Sequence, residues 1–264
     1  LHLSLRRQRQ MCIRDSISGQ DESAWDLEMW NRLAVVATYR PIYRIQGVDK
    51  LLELGLPAES PYRRMLIQQQ LLEPIKERQF SSQIIHLGDP ALKFDSTEIE
   101  SSPYPRWHQI STIEPRNLAD GLEELIPGFI APEYARRPVR LLVVGCTTGK
   151  LALKLAAAYQ NIEVLATDSV QQNLAYAARM AEEMNIGNIE FCHVERQELY
   201  RIEDQFHVIY TGESLLWTDD ALTPWQMLVD RLIPEGLMQI QVRSAVQREG
   251  LVAAREFVRS KGFS

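Results

Sequence analysis

The residues best able to do chemistry in this chain lie in the segment Gly145-Cys-Thr-Thr-Gly-Lys150 and at Asp168. Glycines such as Gly145 and Gly149 adopt backbone angles closed to other residues and let a ligand approach the main chain. A helical sequence follows, and the free N–H groups of a first helical turn suit a polar or anionic ligand. Asp168 follows Gly149 by 19 residues, and an acid at the end of a second strand can accept hydrogen bonds from ribose hydroxyls. The spacing predicts a nucleoside site. The alternative is that Asp168 or Ser169 caps the next helix.

These residues require a strand before the glycine segment and a helix after it. Leu141–Val144 is wholly apolar, as in a buried parallel strand, and Leu151 opens a stretch rich in leucine and alanine. Further strands are predicted at Ile162–Ala166, Asn188–His193, Phe206–Tyr210 and Leu237–Val242, and helices at Gln171–Met184, Pro224–Leu232 and Gln247–Ser260. Because such crossovers are right-handed, the sequence predicts an α/β fold, a Rossmann-like doubly wound parallel sheet. Its strands should lie in the order third, second, first, fourth, fifth.

The segment Val139–Lys150 resembles the cofactor loop of class I S-adenosylmethionine-dependent methyltransferases, whose usual form is a strand, Gly-Cys-Gly-Thr-Gly and a helix. Here Thr147 stands at the middle glycine, and Val143 stands where the family often has an acid. The resemblance implies S-adenosyl-L-methionine as cofactor. It also implies the residues that contact it, which are Gly145, Cys146, Thr147 and Gly149 at the methionine part, Asp168 and Ser169 at the ribose, Glu195 and Arg196 at the adenine, and Tyr210 at the fourth strand. For Glu195 the alternative is a solvated carboxylate in a turn.

The resemblance supplies no catalytic base. Relatives often have a His-His pair at the positions of Leu216 and Trp217, and this chain has neither histidine. The polar residues near the fourth strand are Tyr210, Glu213 and Asp219, and no spacing pairs any of them with an acceptor. The catalytic residue therefore stays unknown at this point. No metal is expected, because the three cysteines lack metal-binding spacing.

The string Tyr104-Pro-Arg106-Trp107 lies upstream of the glycine segment. Its prolines exclude a helix and favour an extended course. It resembles a signature found just before the methyltransferase domain in a bacterial group that often has tetratricopeptide-type helical regions. In one interpretation it is an arm across the cofactor mouth, with Tyr104 and Arg106 at the cofactor. In the other it is a tether whose Trp107 fills the domain core.

Composition divides the 264 residues into four parts. Residues 1–18 are basic without an amphipathic period and are interpreted as non-native or disordered. Residues 19–83 show helical apolar patterns, residues 84–107 form a linker that ends in the arm, and residues 108–264 form the cofactor domain. The family fold closes its sheet with an antiparallel hairpin, and no sequence for it follows the last helix. The domain is therefore expected to be truncated and the chain a fragment.

The net charge of −6 argues against a general nucleic-acid binder, and no apolar run reaches the length of a membrane span. The sequence therefore predicts a cytoplasmic bacterial methyltransferase for a small-molecule or protein acceptor. It predicts no nucleic-acid partner and no membrane, and leaves the helical region available to a protein partner. The alternative is a non-catalytic methyltransferase-like module that acts through that region. A nicotinamide-dependent oxidoreductase ranks last, because Thr147 and Lys150 replace the second and third glycines of its motif.

Overall fold

The computed structural model describes residues 27–37, 41–44, 60–88, 103–111, 114–212, 222–241 and 245–262. They belong to two compact units, Leu1–Gln83 with Asp95–Pro103, and Ile84–Phe94 with Tyr104–Ser264. The predictions for residues 1–18, for Glu213 and Asp219, and for the positions of Leu216 and Trp217 lie outside the described residues.

The first unit is helical where it is described. Its elements are α1 (Leu27–Ala37), a 3-10 helix (Ile42–Arg44), α2 (Pro61–Ile67), a π-helical segment (Gln68–Leu72) and α3 (Glu73–Ser81). α2 begins where it does because the Ser60 hydroxyl accepts a hydrogen bond from the Arg63 N–H at 3.4 Å. Leu33, Ile42, Ile67 and Leu71 are buried against one another and form the core of this unit.

Pro74 does not end the helical run of the first unit, although a proline in a helix interior usually does. It lies in the first turn of α3, where its missing N–H is least costly. In the π-helical segment directly before α3, backbone hydrogen bonds join residues five apart along the chain, where an α-helix joins residues four apart. The run therefore continues through Pro74 to Ser81.

The second unit is built on a six-stranded sheet in the order β1-β4-β3-β2-β5-β6, and all of its pairings are parallel. The strands are β1 (Ile85–His86), β2 (Val139–Val144), β3 (Ile162–Asp168), β4 (Ile189–His193), β5 (Phe206–Thr211) and β6 (Leu232–Ile240). β2 to β6 correspond to the five predicted strands. The Rossmann-like fold and the predicted order third, second, first, fourth, fifth are therefore confirmed.

Helical elements precede, connect and follow these strands. They are α4 (Leu118–Leu125), a 3-10 helix (Glu133–Arg136), α5 (Lys150–Ala158), α6 (Gln171–Glu183), a 3-10 helix (Arg196–Arg201), α7 (Leu222–Val229) and α8 (Ala245–Ser260). Leu142, Phe206 and Ile209 are completely buried in a cluster around the central strands. Burying one such side chain contributes about 1.5–3 kcal/mol, so these residues fix β2 against β5. No helix in the described ranges combines the length and the apolar character that a membrane crossing requires.

Two parts of the sheet differ from the predictions. β1 lies in the segment for which little regular structure was expected, and it pairs Ile85 with Cys192 of β4. Both residues of β1 are exposed, so the sequence has no apolar alternation there to reveal a strand. β6 begins at Leu232, five residues before the predicted strand, because Pro234–Gly236 form a bulge within the strand. Glu235 has a φ of 63°, and the register shifts between the partners of Phe206 and Val208.

Candidate functional site

A cavity of about 670 Å³ opens at the carboxyl ends of the central strands. β2 lies between β3 and β5, so the chain connections leave β2 toward opposite sides of the sheet. Open parallel sheets bind ligands in the crevice at such a switch point. The cavity therefore lies where the topology favours a ligand site.

Most of the predicted cofactor residues line this cavity, namely Gly145, Cys146, Thr147, Asp168, Ser169, Arg196 and Tyr210. Gly149, Glu195, Tyr104 and Arg106 are not among its lining residues. Residues that the sequence reasoning missed also line it, namely Lys150, Leu151, Lys154, Val194, Leu199 and Gly212. Lys150 and Lys154 lie one turn apart on α5, and this four-residue spacing after the glycine segment is a signal that the sequence offered.

The loop between β2 and α5 turns through three left-handed residues. Their φ angles are 67° at Gly145, 50° at Thr147 and 75° at Gly149. Gly149 is required for a second reason, since a Cβ there would lie 2.5 Å from the Cβ of Ala177 on α6. Its role is to pack the loop against α6. Thr147 is exposed and carries a Cβ in a conformation that costs about 1–2 kcal/mol for such residues.

Asp168 is buried at the end of β3 and joins that strand to the loop. Its Oδ2 accepts a hydrogen bond from the Thr147 N–H at 2.8 Å, and its Oδ1 accepts one from the Val170 N–H at 2.9 Å and one from the Asn173 amide at 3.4 Å. Burial raises the pKa of Asp168, while the backbone donors at Val170 and Thr147 oppose the rise. A carboxylate offers about four acceptor positions, so roughly one remains for a ligand hydroxyl.

Neither Asp168 nor Ser169 is the cap of the following helix. The residue at that position is Val170, which makes no side-chain capping bond. The Asp168 carboxylate instead bonds to the Val170 N–H, two residues along the chain, in a local turn. Ser169 is exposed and lines the cavity. The strand end, and not the helix start, therefore determines where these two polar residues point.

The cysteine of the glycine segment is not a nucleophile. Cys146 is buried, and burial, with the nearby Asp168, raises the pKa of its thiol well above the usual value. Cys192 on β4 is also a buried free thiol, with a pKa of about 11 because of burial. Both thiols are protonated near neutral pH and act as small apolar side chains.

The far side of the cavity is formed by the connection after β4. Val194 and Leu199 are buried and contribute apolar surface, and Arg196 extends over the lining between them. The Arg196 Nε is buried without a hydrogen-bond partner among the described residues. Glu195 directly precedes the 3-10 helix and is not among the lining residues, and burial is the main cause that raises its pKa. Arg196 is thus the residue of this pair that the structure brings to the cavity.

The Tyr104–Trp107 string does not reach the cavity lining. Tyr104 is 83% exposed, and the Arg106 guanidinium lies over the ring of Tyr176 at 4.8 Å. Trp107 is buried in the second unit, in accord with the tether interpretation. The expectation that Tyr104 and Arg106 contact a ligand at the mouth finds no support in this arrangement, because the string packs against α6 and the loop instead.

Charge around the cavity is predominantly positive. Lys150 and Lys154 are exposed at one rim and Arg196 lies at the other, whereas Asp168 is the carboxylate among the lining residues. A lysine in the first turn of a helix is unfavourable by a few tenths of a kcal/mol, because that end carries partial positive charge. The cavity therefore suits a ligand or acceptor that brings negative charge, in spite of the net charge of −6 of the whole chain.

Residues 141–236 match a family model described as a methyltransferase domain. Among curated proteins, the chain is 25% identical over 119 residues to ribosomal RNA small subunit methyltransferase G of Streptococcus pyogenes serotype M5 (strain Manfredo), covering 45% of this chain and 46% of the relative. It is 24% identical over 122 residues to the protein of the same name from serotype M12 (strain MGAS9429), covering 46% of this chain and 48% of the relative. The chain thus spans about half the length of the curated relatives that it matches.

Several solved structures resemble a part of this chain. The [4+2]-cyclase SpnF is 28% identical with a TM-score of 0.36, covering 46% of this chain and 42% of that one. PKMT2 from Rickettsia typhi in complex with AdoHcy is 15% identical with a TM-score of 0.45, covering 60% and 31%. A SAM-dependent methyltransferase from Geobacter sulfurreducens in complex with S-adenosyl-L-homocysteine is 19% identical with a TM-score of 0.36, covering 48% and 56%.

The family match makes residues 141–236 a class I S-adenosylmethionine-dependent methyltransferase domain, and the cofactor of this domain is S-adenosylmethionine. The expectation of no nucleic-acid partner is wrong, because the curated relatives are ribosomal RNA methyltransferases. It rested on the net charge of the whole chain. Net charge does not describe a local site, and the lining of this cavity is positive.

Proposed function

We propose that this chain binds S-adenosylmethionine in the cavity at the ends of β2, β3 and β5 and transfers its methyl group to an acceptor. The observation that carries the proposal is the joining of the Gly145–Gly149 loop to Asp168, through the 2.8 Å hydrogen bond from the Thr147 N–H. This bond brings a glycine loop and a buried carboxylate to one side of a cavity of about 670 Å³, which is large enough for a nucleoside with an amino-acid tail.

The roles proposed for the lining residues follow from their positions. The backbone of Gly145 to Thr147 faces the methionine part, and Asp168 accepts a hydrogen bond from one ribose hydroxyl. A second ribose hydroxyl bonds to Asp168 when the 3.4 Å contact from Asn173 is released. Val194 and Leu199 provide an apolar slot for the adenine, and Arg196 lies at its edge. Glu195 at the adenine amino group stays a prediction.

Methyl transfer from a sulfonium is an in-line displacement, and the bound cofactor supplies the activated methyl group. The protein needs to align the acceptor and to keep the pocket dry. Tyr210 and Gly212 line the cavity at the end of β5, next to the loop after β2. They form the side from which an acceptor approaches. These two residues, the described ones at this edge, include no histidine and no carboxylate, so the role that we propose for them is to position the acceptor.

The acceptor proposed from the sequence is a small molecule or a protein side chain. A second candidate, RNA, is favoured by two observations: the curated relatives are ribosomal RNA methyltransferases, and Lys150, Lys154 and Arg196 surround the cavity. Lysine and arginine neutralise backbone phosphates, and such binding weakens steeply with salt. Salt dependence of activity therefore distinguishes the two candidates.

The first test is calorimetric titration of the whole chain with S-adenosylmethionine, S-adenosylhomocysteine and NAD in parallel. We expect binding of the first two and none of NAD. Transfer of a labelled methyl group is then measured with an RNA fraction, a protein fraction and a small-molecule fraction from a bacterial extract. Binding of cofactor without transfer to any fraction would favour the non-catalytic module that acts through the helical region. Absence of cofactor binding would refute the proposal.

A reducing cytoplasmic compartment is proposed as the site of action. Cys146 and Cys192 are both buried free thiols in the second unit, and free buried cysteines are typical of proteins kept in reducing surroundings.

A further inference from the structure

Residues Tyr104–Trp107, called the strap from here on, contact the cofactor loop at Thr148, the residue after the one that bonds to Asp168. Trp107 is buried, and its indole N–H donates to the carbonyl of Thr148 at 3.0 Å and contacts the Thr148 hydroxyl oxygen at 3.2 Å. The Thr148 hydroxyl in turn donates to the Pro105 carbonyl at 2.7 Å. Both polar groups of Thr148 that face the strap are therefore engaged by it.

The strap is itself fixed by a tyrosine on α6. The backbone N–H of Trp107 donates to the Tyr176 hydroxyl at 2.8 Å, and that hydroxyl donates to the backbone carbonyl of Trp107. The Tyr176 ring is fully buried, and the guanidinium groups of Arg106 and Arg179 lie over it at 4.8 and 5.0 Å. If one partner of such a buried hydrogen-bonded pair is removed, the other group stays buried without a partner, which costs its full desolvation free energy. The strap therefore has one well-defined position.

The loop that the strap holds is strained at the neighbouring residue. Thr147 is left-handed with a φ of 50°, and such conformations persist only where the surrounding structure over-determines them. On the cavity side, Asp168 accepts the Thr147 N–H at 2.8 Å. The strap holds the next residue, Thr148, through the bonds from Trp107 and to Pro105. Asp168 therefore restrains Thr147 directly, and Trp107 restrains it indirectly through the neighbouring residue Thr148.

We infer that Trp107, Thr148 and Tyr176 are positioning residues for cofactor binding: the strap keeps the Gly145–Gly149 loop in the left-handed geometry that faces its backbone toward the cavity. In this inference the strap restrains the loop through its hydrogen bonds to Thr148, and it does not cover the cofactor mouth. The inference rests on the proposed function for the identity of the ligand. The restraint on the loop itself exists without any ligand and can be measured alone.

The first measurement is hydrogen exchange of the ligand-free chain. Thr148→Val and Tyr176→Phe keep side-chain volume and remove the hydroxyls, and Trp107→Phe removes the indole N–H. Exchange of the loop amides at Thr147 and Gly149 should become about tenfold faster, because local opening follows the loss of one or two hydrogen bonds. Amides of β6 should exchange as in the unchanged chain. Trp225→Phe on α7 is the matched control, since it makes the same chemical change away from the strap.

The second measurement is the affinity for S-adenosylhomocysteine in a double-mutant cycle with Thr147→Gly. Trp107→Phe alone should weaken binding by about five- to tenfold, the loss expected for one or two neutral hydrogen bonds. In the Thr147→Gly background the same change should weaken binding by less than about twofold, because a glycine holds the left-handed angle without restraint. A buried Trp107 with a purely structural role would give equal losses in the two backgrounds.

The outcomes separate the two proposals. Equal affinity losses in both backgrounds, or unchanged loop exchange in all strap variants, would overturn the inference. If neither the original chain nor any variant binds S-adenosylhomocysteine, the proposed function fails. The hydrogen-exchange data alone then decide whether the strap restrains the loop. If Trp107→Phe does not fold, the volume-conserving Thr148→Val and Tyr176→Phe provide both measurements.

Discussion

Replacing Thr147 by glycine should stabilise the chain, although the replacement removes a side chain. A residue with a Cβ in the left-handed region costs about 1–2 kcal/mol, and Thr147 has a φ of 50°. Glycine loses more backbone freedom on folding, which costs about 0.5–1 kcal/mol. The Thr147 side chain is exposed, so little burial is lost, and its N–H keeps the bond to Asp168. The net gain should be about 0.5–1 kcal/mol.

Calorimetry of the thermal transition of the second unit measures this gain, which corresponds to a rise of about 2 °C for a domain of this size. The matched control is Asn185→Gly at the end of α6, where φ is 54°. Asparagine tolerates the left-handed region better than threonine does, so this change should give almost no gain. A less stable Thr147→Gly variant, or an equal gain from Asn185→Gly, would refute the strain assigned to the loop. Affinity for S-adenosylhomocysteine should be unchanged or improved in Thr147→Gly.

Four further predictions test the site and its surroundings. Asp168→Ala should weaken S-adenosylmethionine binding by about 1.5–3 kcal/mol in calorimetry, because it removes charge-assisted bonds to the ribose; an unchanged affinity would exclude that role. Burial raises the pKa of Asp168 above 3.8, so its contribution to stability is full below the usual pKa and is lost as pH rises through the raised value. The free energy of unfolding of the original chain, compared with that of Asp168→Asn, should therefore decrease as the pH rises above about 4. Urea titrations of both proteins over a range of pH would show this. Gly149→Ala should destabilise the second unit by about 2–4 kcal/mol, because it meets both a φ of 75° and a Cβ at 2.5 Å; a neutral melting curve would contradict this. The pKa of His207 is lowered from 6.5 by burial and by the charge of Arg140, so its contribution is present above the usual pKa and is lost as pH falls through the lowered value. Stability relative to His207→Gln should decline below about pH 6.5, and parallel pH profiles of the two proteins would count against it.

Most of the sheet could be predicted from the sequence, because a buried parallel strand is written as a short apolar run. Leu141–Val144 is such a run, and the structure extends it only to Val139. The order of the strands followed from the handedness of their crossovers. β1 could not be predicted in this way. Its two residues are exposed and, among the strands that the structure describes, pair with β4 alone at the edge of the sheet.

The site was predicted in part for a similar reason. Gly145 and Asp168 lie at strand ends, so the chain position of a strand fixes where they project, and Arg196 lies in the connection that follows β4. Glu195 is adjacent to Arg196, yet it does not line the cavity. Its direction depends on the 3-10 helix that begins there, which local sequence does not specify. Lys150 and Lys154 were missed because two exposed lysines on a helix usually indicate only a solvated face.

The sequence by itself determined the alternation of strands and helices, the left-handed glycines of the loop and the carboxylate that faces them, because these depend on local backbone preference and burial pattern. Only the tertiary structure decided what Trp107 does. Its partners Thr148 and Tyr176 lie 41 and 69 residues away in the chain. A hydrogen bond over such a separation forms only when the sheet and α6 have brought the two segments together, and no local pattern encodes it.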